Sequence, residues 1–204
     1  MSKPLRRLVA AAALIAAPTS AHAHLINTSL GDFYDGLVHP LVALDNVLPW
    51  FALAILAAFQ GPKNARWLLL TFPAGLLIGA LVALKVPQLP LVPFVTLAII
   101  AVVGLAVAAT LKLPLPVLVA IGFVMALVGG YQNGQAAAAA ADAWLFVLGV
   151  TAVGYVFVTL AAGCALAFLS GGGGWRSVAL RASGSWVAAV GILALGMQVF
   201  VPGA

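Results

Sequence analysis

Asp35-Gly-Leu-Val-His39-Pro40-Leu-Val-Ala43-Leu-Asp45-Asn46 runs without interruption into Val47-Leu-Pro49-Trp50-Phe-Ala-Leu-Ala-Ile-Leu-Ala-Ala-Phe59. Most of what this chain offers to a cation is concentrated in the first of these segments, and the second is apolar throughout. From Leu37 to Phe59 the run is long enough to cross a hydrocarbon core as a helix, which takes about 20 residues. It nevertheless contains Asp45, one of four acidic residues in the protein. An ionisable group at membrane depth costs about 3 kcal/mol on insertion scales and marks a site with a partner nearby. His39 is the natural partner.

The rest of the chain repeats the apolar pattern. Its 204 residues are 65% hydrophobic and 6% charged, with a mean hydropathy of +1.21. Soluble domains carry about 25% charged residues. The composition predicts an all-α, polytopic membrane protein with about six transmembrane helices and no room for a separate soluble catalytic domain. Apolar runs separated by turn formers place the spans at about 37–59, 67–84, 91–111, 117–130, 143–169 and 185–201. Between the fourth and fifth, Tyr131-Gln-Asn133-Gly-Gln135 reads as a loop, and Ser170 with the four following glycines reads as a flexible linker. The nine basic residues are scattered rather than clustered, which gives no support to nucleic-acid binding. Cys164, the single cysteine, excludes an intramolecular disulfide and reads as a packed small residue.

Residues 1–23 have the form of an export signal: Lys3, Arg6 and Arg7 precede an apolar stretch from Leu8 to Ala17, and Ala21-His22-Ala23 is an A-x-A cleavage site. An uncleaved anchor is the alternative. Cleavage leaves a single membrane domain, 24–204, whose first residue, His24, combines a free amine with an imidazole, a chelating pair for a late transition metal. With the mature N-terminus exported, the cytoplasmic loops hold Lys63, Arg66, Lys112, Arg176 and Arg181, and the other side holds Lys85. That bias matches the positive-inside rule and predicts a multi-pass protein of the cell inner membrane, with both mature termini outside the cytoplasm.

Two prolines shape the polar segment. Pro40 suits a first helical turn and biases its predecessor away from the helical region, which predicts His39 at the N-cap of the first span. On a straight helix Asn46 shares the face of His39 two turns deeper, while Asp45 is rotated away, so a joint site requires help from Asp32, Asp35 or another span. Pro49 removes the N–H that would pair with the Asp45 carbonyl and predicts a kink there. The structural alternative is a bend alone, with Asp45 hydrogen-bonded to a hydroxyl such as that of Thr71 or Thr96.

An export signal, a His-bearing new N-terminus and His39-Pro40-x-x-x-x-Asp45 opening the first of about six spans resemble the HupE/UreJ family of nickel and cobalt permeases. The family signature reads His-Pro-x-x-Gly-x-Asp-His; His39, Pro40 and Asp45 match, Ala43 replaces the glycine and Asn46 the second histidine. A His-Gly-Tyr-Ala-His-Gly-like segment of the family corresponds to Gly129-Gly130-Tyr131-Gln132-Asn133-Gly134, with Gly129 and Asn133 in the histidine places. The glutamate expected shortly afterwards is absent, and Thr159 and Ala161 lie where a further histidine is expected. The resemblance implies Ni²⁺ or Co²⁺ as transported ion, with His39, Asp45, His24, Asp35, Asn46 and Asn133 as candidate metal ligands and no bound prosthetic group. Imidazoles have become amides, which are weaker, harder donors, so nickel should be held less tightly.

Other classes fit less well. No His-Glu-x-x-His set is present, and no nucleophile and base pair is evident, so an enzyme is not expected. A non-transporting accessory subunit of metalloenzyme maturation or a redox complex is the main alternative, followed by a permease for a different small solute. Gly75, Gly79, Gly104, Gly122, Gly154 and Gly163 suit close helix approach. Trp50, Trp67, Trp144, Trp175 and Trp186 suit interfacial anchoring.

Overall fold

The computed structural model describes residues 31–200. The proposed export signal and His24 lie outside the described residues. The chain opens with α1 (Asp32–Val38), a 3-10 turn (His39–Leu41) and α2 (Leu44–Phe59). A short α3 (Pro62–Ala65) leads into α4 (Leu68–Ala83), followed by α5 (Val92–Ala108), α6 (Leu115–Ala137), α7 (Ala143–Ser170) and α8 (Gly174–Phe200). No strand occurs among the described residues. Pro62–Ala83, α6, α7 and α8 are each long and apolar enough to cross a membrane, and α1 with α2 forms one broken span bent by 72°. α5 is a shorter apolar helix of 17 residues. This is a multi-pass helical membrane protein, with four crossings by length and composition, or five with the bent pair.

α2 is its centre. Every residue from Ala52 to Ala58 is buried, a pattern expected of a helix that is apolar all round and enclosed by protein. Trp50, expected at an interface, instead packs edge-on to Phe72 of α4 and Phe157 of α7, at 5.9 Å from each. The other four tryptophans are exposed.

Around this centre the helices approach through glycines. A Cβ at Gly79 of α4 would lie 2.1 Å from the Leu127 carbonyl of α6, and one at Gly130 of α6 would lie 2.2 Å from the Leu76 carbonyl of α4. Without attraction between apolar helices in lipid, such backbone contact supplies the packing that holds them together. α1 meets α7 in the same way, Gly36 against the Phe146 carbonyl and Gly149 against that of Phe33. Gly163 has no neighbour within 4 Å, and Cys164 is exposed, so neither is the packed small residue that its sequence context predicts.

Two expected connections are helical. α6 continues through Tyr131–Gln135 to Ala137, because Tyr131 Oη donates to the Pro87 carbonyl and Gln135 Nε2 to that of Val86, and the alanines that follow favour helix. The glycine linker is a tight turn in which Gly172 and Gly173 adopt positive φ (73° and 82°), a conformation that only glycine enters without strain. α8 therefore starts at Gly174, well before the expected 185.

Basic side chains close the helix ends at one end of the bundle. Lys112 Nζ donates to the Phe59 carbonyl at the end of α2, Arg181 Nε to Ala108 at the end of α5, and Arg176 to Phe168 in the last turn of α7. Each cation also faces the negative end of a helix dipole. Gln60 joins them, donating to the Leu56 and Leu111 carbonyls and accepting from the Leu113 N–H.

Gly79→Val should push α4 from α6 and lower the stability of the detergent-solubilised protein by about 3 kcal/mol, the upper range for overpacking. Gly163→Ala, where there is open space, should leave it unchanged or slightly raised. Thermal unfolding of the purified proteins measures both.

Candidate functional site

Opposite the basic end, where α2, α5 and α7 begin and α6 ends, polar side chains gather. Asn46 stands in the first turn of α2 and is buried, as is Asn133 near the end of α6. Asn133 Nδ2 donates to Asn46 Oδ1 and to the Gly129 carbonyl, both at 2.7 Å. Both amide hydrogens are used, and Asn133 Oδ1 has no partner. Beside this pair, Thr96 Oγ1 of α5 lies 2.9 Å from Gln132 Oε1 and 3.1 Å from the Val92 carbonyl, with one proton to give.

Asp45, Asn46, Trp50, Thr96, Gly129 and Gln132 line a narrow cavity of about 10 Å³, on the scale of one water molecule. A Cβ at Gly129 would stand 3.7 Å from Asn46 Oδ1 and 3.8 Å from Trp50 Nε1, so position 129 faces both. Asp45 is exposed at the mouth. Thr71 and Thr96 are bonded to groups other than Asp45.

The local backbone explains how this comes about. The chain is not one helix from His39 to Phe59: it breaks at Val42 and at Ala43, which is extended (φ −101°, ψ 111°) and caps α2. His39 is consequently not the N-cap of the span. It ends α1 and opens the 3-10 turn. The straight-helix alignment of His39 with Asn46 is lost at the bend. Instead the His39 ring packs against Phe146 of α7, 5.6 Å between centroids. α2 continues as one helix through Pro49, which leaves the Asp45 carbonyl without its usual helical donor.

The candidates therefore divide. Asp45 and Asn46 share the cavity wall and Asn133 bonds to Asn46, whereas His39, against Phe146, and Asp35, buried on α1, lie outside the wall. No group of three or more His, Cys, Asp or Glu side chains that could hold a metal occurs among the described residues. The donors here are mainly oxygens. Gln132 and Trp50 were not expected in the wall, and Thr96, expected only as a hydroxyl for Asp45, meets Gln132 instead; once Tyr131–Gln135 is helical, positions 129, 132 and 133 fall on one face, the spacing that would have revealed Gln132.

A multi-pass helical protein with one buried polar cluster beside a helix break defines the class. The family profile described as HupE / UreJ protein matches residues 11–194. Protein HupE of Rhizobium leguminosarum bv. viciae is 31% identical over 183 residues, spanning 88% of this chain and 92% of that protein. The chain belongs to the HupE/UreJ family. No solved structure matches it significantly.

The Asn46–Asn133 bond ties α2 to α6, so the two amides should be energetically coupled. A double-mutant cycle with Asn46→Ala and Asn133→Ala, read by unfolding of the purified protein, should give about 0.6–1.7 kcal/mol of coupling, the range for interhelical hydrogen bonds in membranes.

Proposed function

We propose that this protein is an inner-membrane permease for divalent transition-metal ions, nickel and cobalt being the cargo its family resemblance implies. The observation that carries this reading is the meeting of a carboxylate and two buried amides at a helix break inside an otherwise apolar bundle. Irregular backbone in a membrane is tolerated where it is buried in protein or lines a cavity, and broken helices are where transporters build sites. Asp45 attracts the ion at the mouth, His39 offers an imidazole on the way in, and the amides hold it weakly enough to let it leave.

In this reading α5 and the broken α1–α2 span complete six crossings, the export signal is removed, and His24 and the cavity face the exported side. The basic end, with Lys112, Arg176 and Arg181, then lies in the cytoplasm. Membrane potential alone provides about 2.3 kcal/mol per charge per 100 mV for inward movement.

The test is uptake of radioactive nickel and cobalt into cells lacking their own permeases, with variants compared at matched membrane abundance. Asp45→Ala and His39→Ala should each reduce uptake to the background of cells without the protein. Wild-type rates in both variants would remove these residues from the pathway. Co-purification of a maturation partner with no metal uptake would point to an accessory subunit instead.

A further inference from the structure

Gly129 differs from the other glycines of α6. At Gly130 and Gly134 a Cβ would come within 2.2 and 2.6 Å of a backbone carbonyl oxygen, so packing demands glycine. At Gly129 the nearest atoms stand at 3.7 and 3.8 Å, ordinary contact distances. Packing does not require glycine here, and the missing side chain keeps the cavity open. Its wall holds a carboxylate (Asp45), two carboxamides (Asn46 and Gln132) and a hydroxyl (Thr96) among apolar side chains such as Ile99 and Met125, and the Asn133 amide, outside the wall itself, donates to Asn46 Oδ1. The wall contains no imidazole or thiolate.

Asn133 Oδ1 is the second observation. It belongs to a side chain only 1% exposed, and its amide hydrogens are already committed to Asn46 and Gly129. A buried carbonyl oxygen without a protein donor costs about 1–3 kcal/mol, and in a folded protein it is met by a bound water or a cation. An amide oxygen accepts only a proton donor or a cation.

We propose that this cavity is an oxygen-donor site that admits a hard divalent cation, Mn²⁺, alongside nickel and cobalt, the usual advantage of nickel being nearly lost. Affinity for nitrogen and oxygen sites rises from Mn²⁺ to Ni²⁺, but carboxylate, carbonyl and water suit manganese, whereas imidazole suits nickel. Oxygen donors in the wall thus keep the nickel advantage within about tenfold, or about 1.4 kcal/mol. This deepens the permease reading and rests on it for movement across the membrane, though not for binding.

The experiment is equilibrium binding of Mn²⁺ to the purified full-length protein, followed by its electron paramagnetic resonance signal, with Ni²⁺ as competitor. The same protein in liposomes reports manganese influx. The wild type should bind one Mn²⁺ per chain, Ni²⁺ should displace it with no more than about a tenfold advantage, and Asn133→Ala should weaken Mn²⁺ binding. Gly129→His combined with Asn133→His should raise the nickel preference by a further factor of about ten or more, a gain that misfolding does not produce. Absence of Mn²⁺ binding by the wild type, or nickel preferred by more than about tenfold, overturns the proposal. Mn²⁺ bound but not carried into liposomes upholds the site and removes the permease reading.

Discussion

Inside a bilayer no water is at hand to complete a backbone hydrogen bond, so every helix end and every break has to be satisfied by protein. The two ends of this bundle meet that constraint in opposite ways. At one end long side chains fold inward: Lys112, Arg176, Arg181 and Gln60 supply donors to the last carbonyls of α2, α5 and α7. At the other end the chain is left irregular, with an extended residue at Ala43 and a proline that withholds an N–H from the Asp45 carbonyl. Polar side chains collect beside that irregularity.

The central position of α2 depends on the contacts around it. α4 and α6 close on each other through Gly75, Gly79, Gly130 and Gly134, and α1 closes on α7 through Gly36 and Gly149. These approaches fix the height and rotation of α6, which brings Asn133 to Asn46 while Gly129 leaves its opening. Tyr131 and Gln135, bonded to the carbonyls of Pro87 and Val86, hold the same end of α6 against the α4–α5 connection. The site is therefore held by backbone contact on one side and hydrogen bonds on the other.

Much of this was legible in the residues themselves. Composition and the spacing of turn formers locate the apolar core of each helix, and the rare polar residues within apolar runs, Asp45 and Asn46, lie at the site. Errors arise where a residue's usual habitat misleads. Tyr131-Gln-Asn133-Gly-Gln135 has the composition of a loop, but its polar groups bond to other helices, so they sit comfortably in a helix. Trp50 has the composition of an anchor, yet it fills the centre, because α2 is enclosed on all sides. His39 was placed by the preference of Pro40 for a first turn, which is satisfied by the 3-10 turn rather than by the span helix. Thr96 and Gln132 meet only through packing of α5 near α6, and no local pattern announces such a pairing.

The burial of Trp50 has an optical consequence. Its indole nitrogen faces the cavity, while Trp67, Trp144, Trp175 and Trp186 lie on the outer surface of the bundle. Quenchers confined to lipid tails or to bulk water reach the outer four and are screened from the fifth. The emission that survives them comes from one indole beside the site, so the molecule carries its own fluorophore for whatever occupies the space between Asn46 and Gly129.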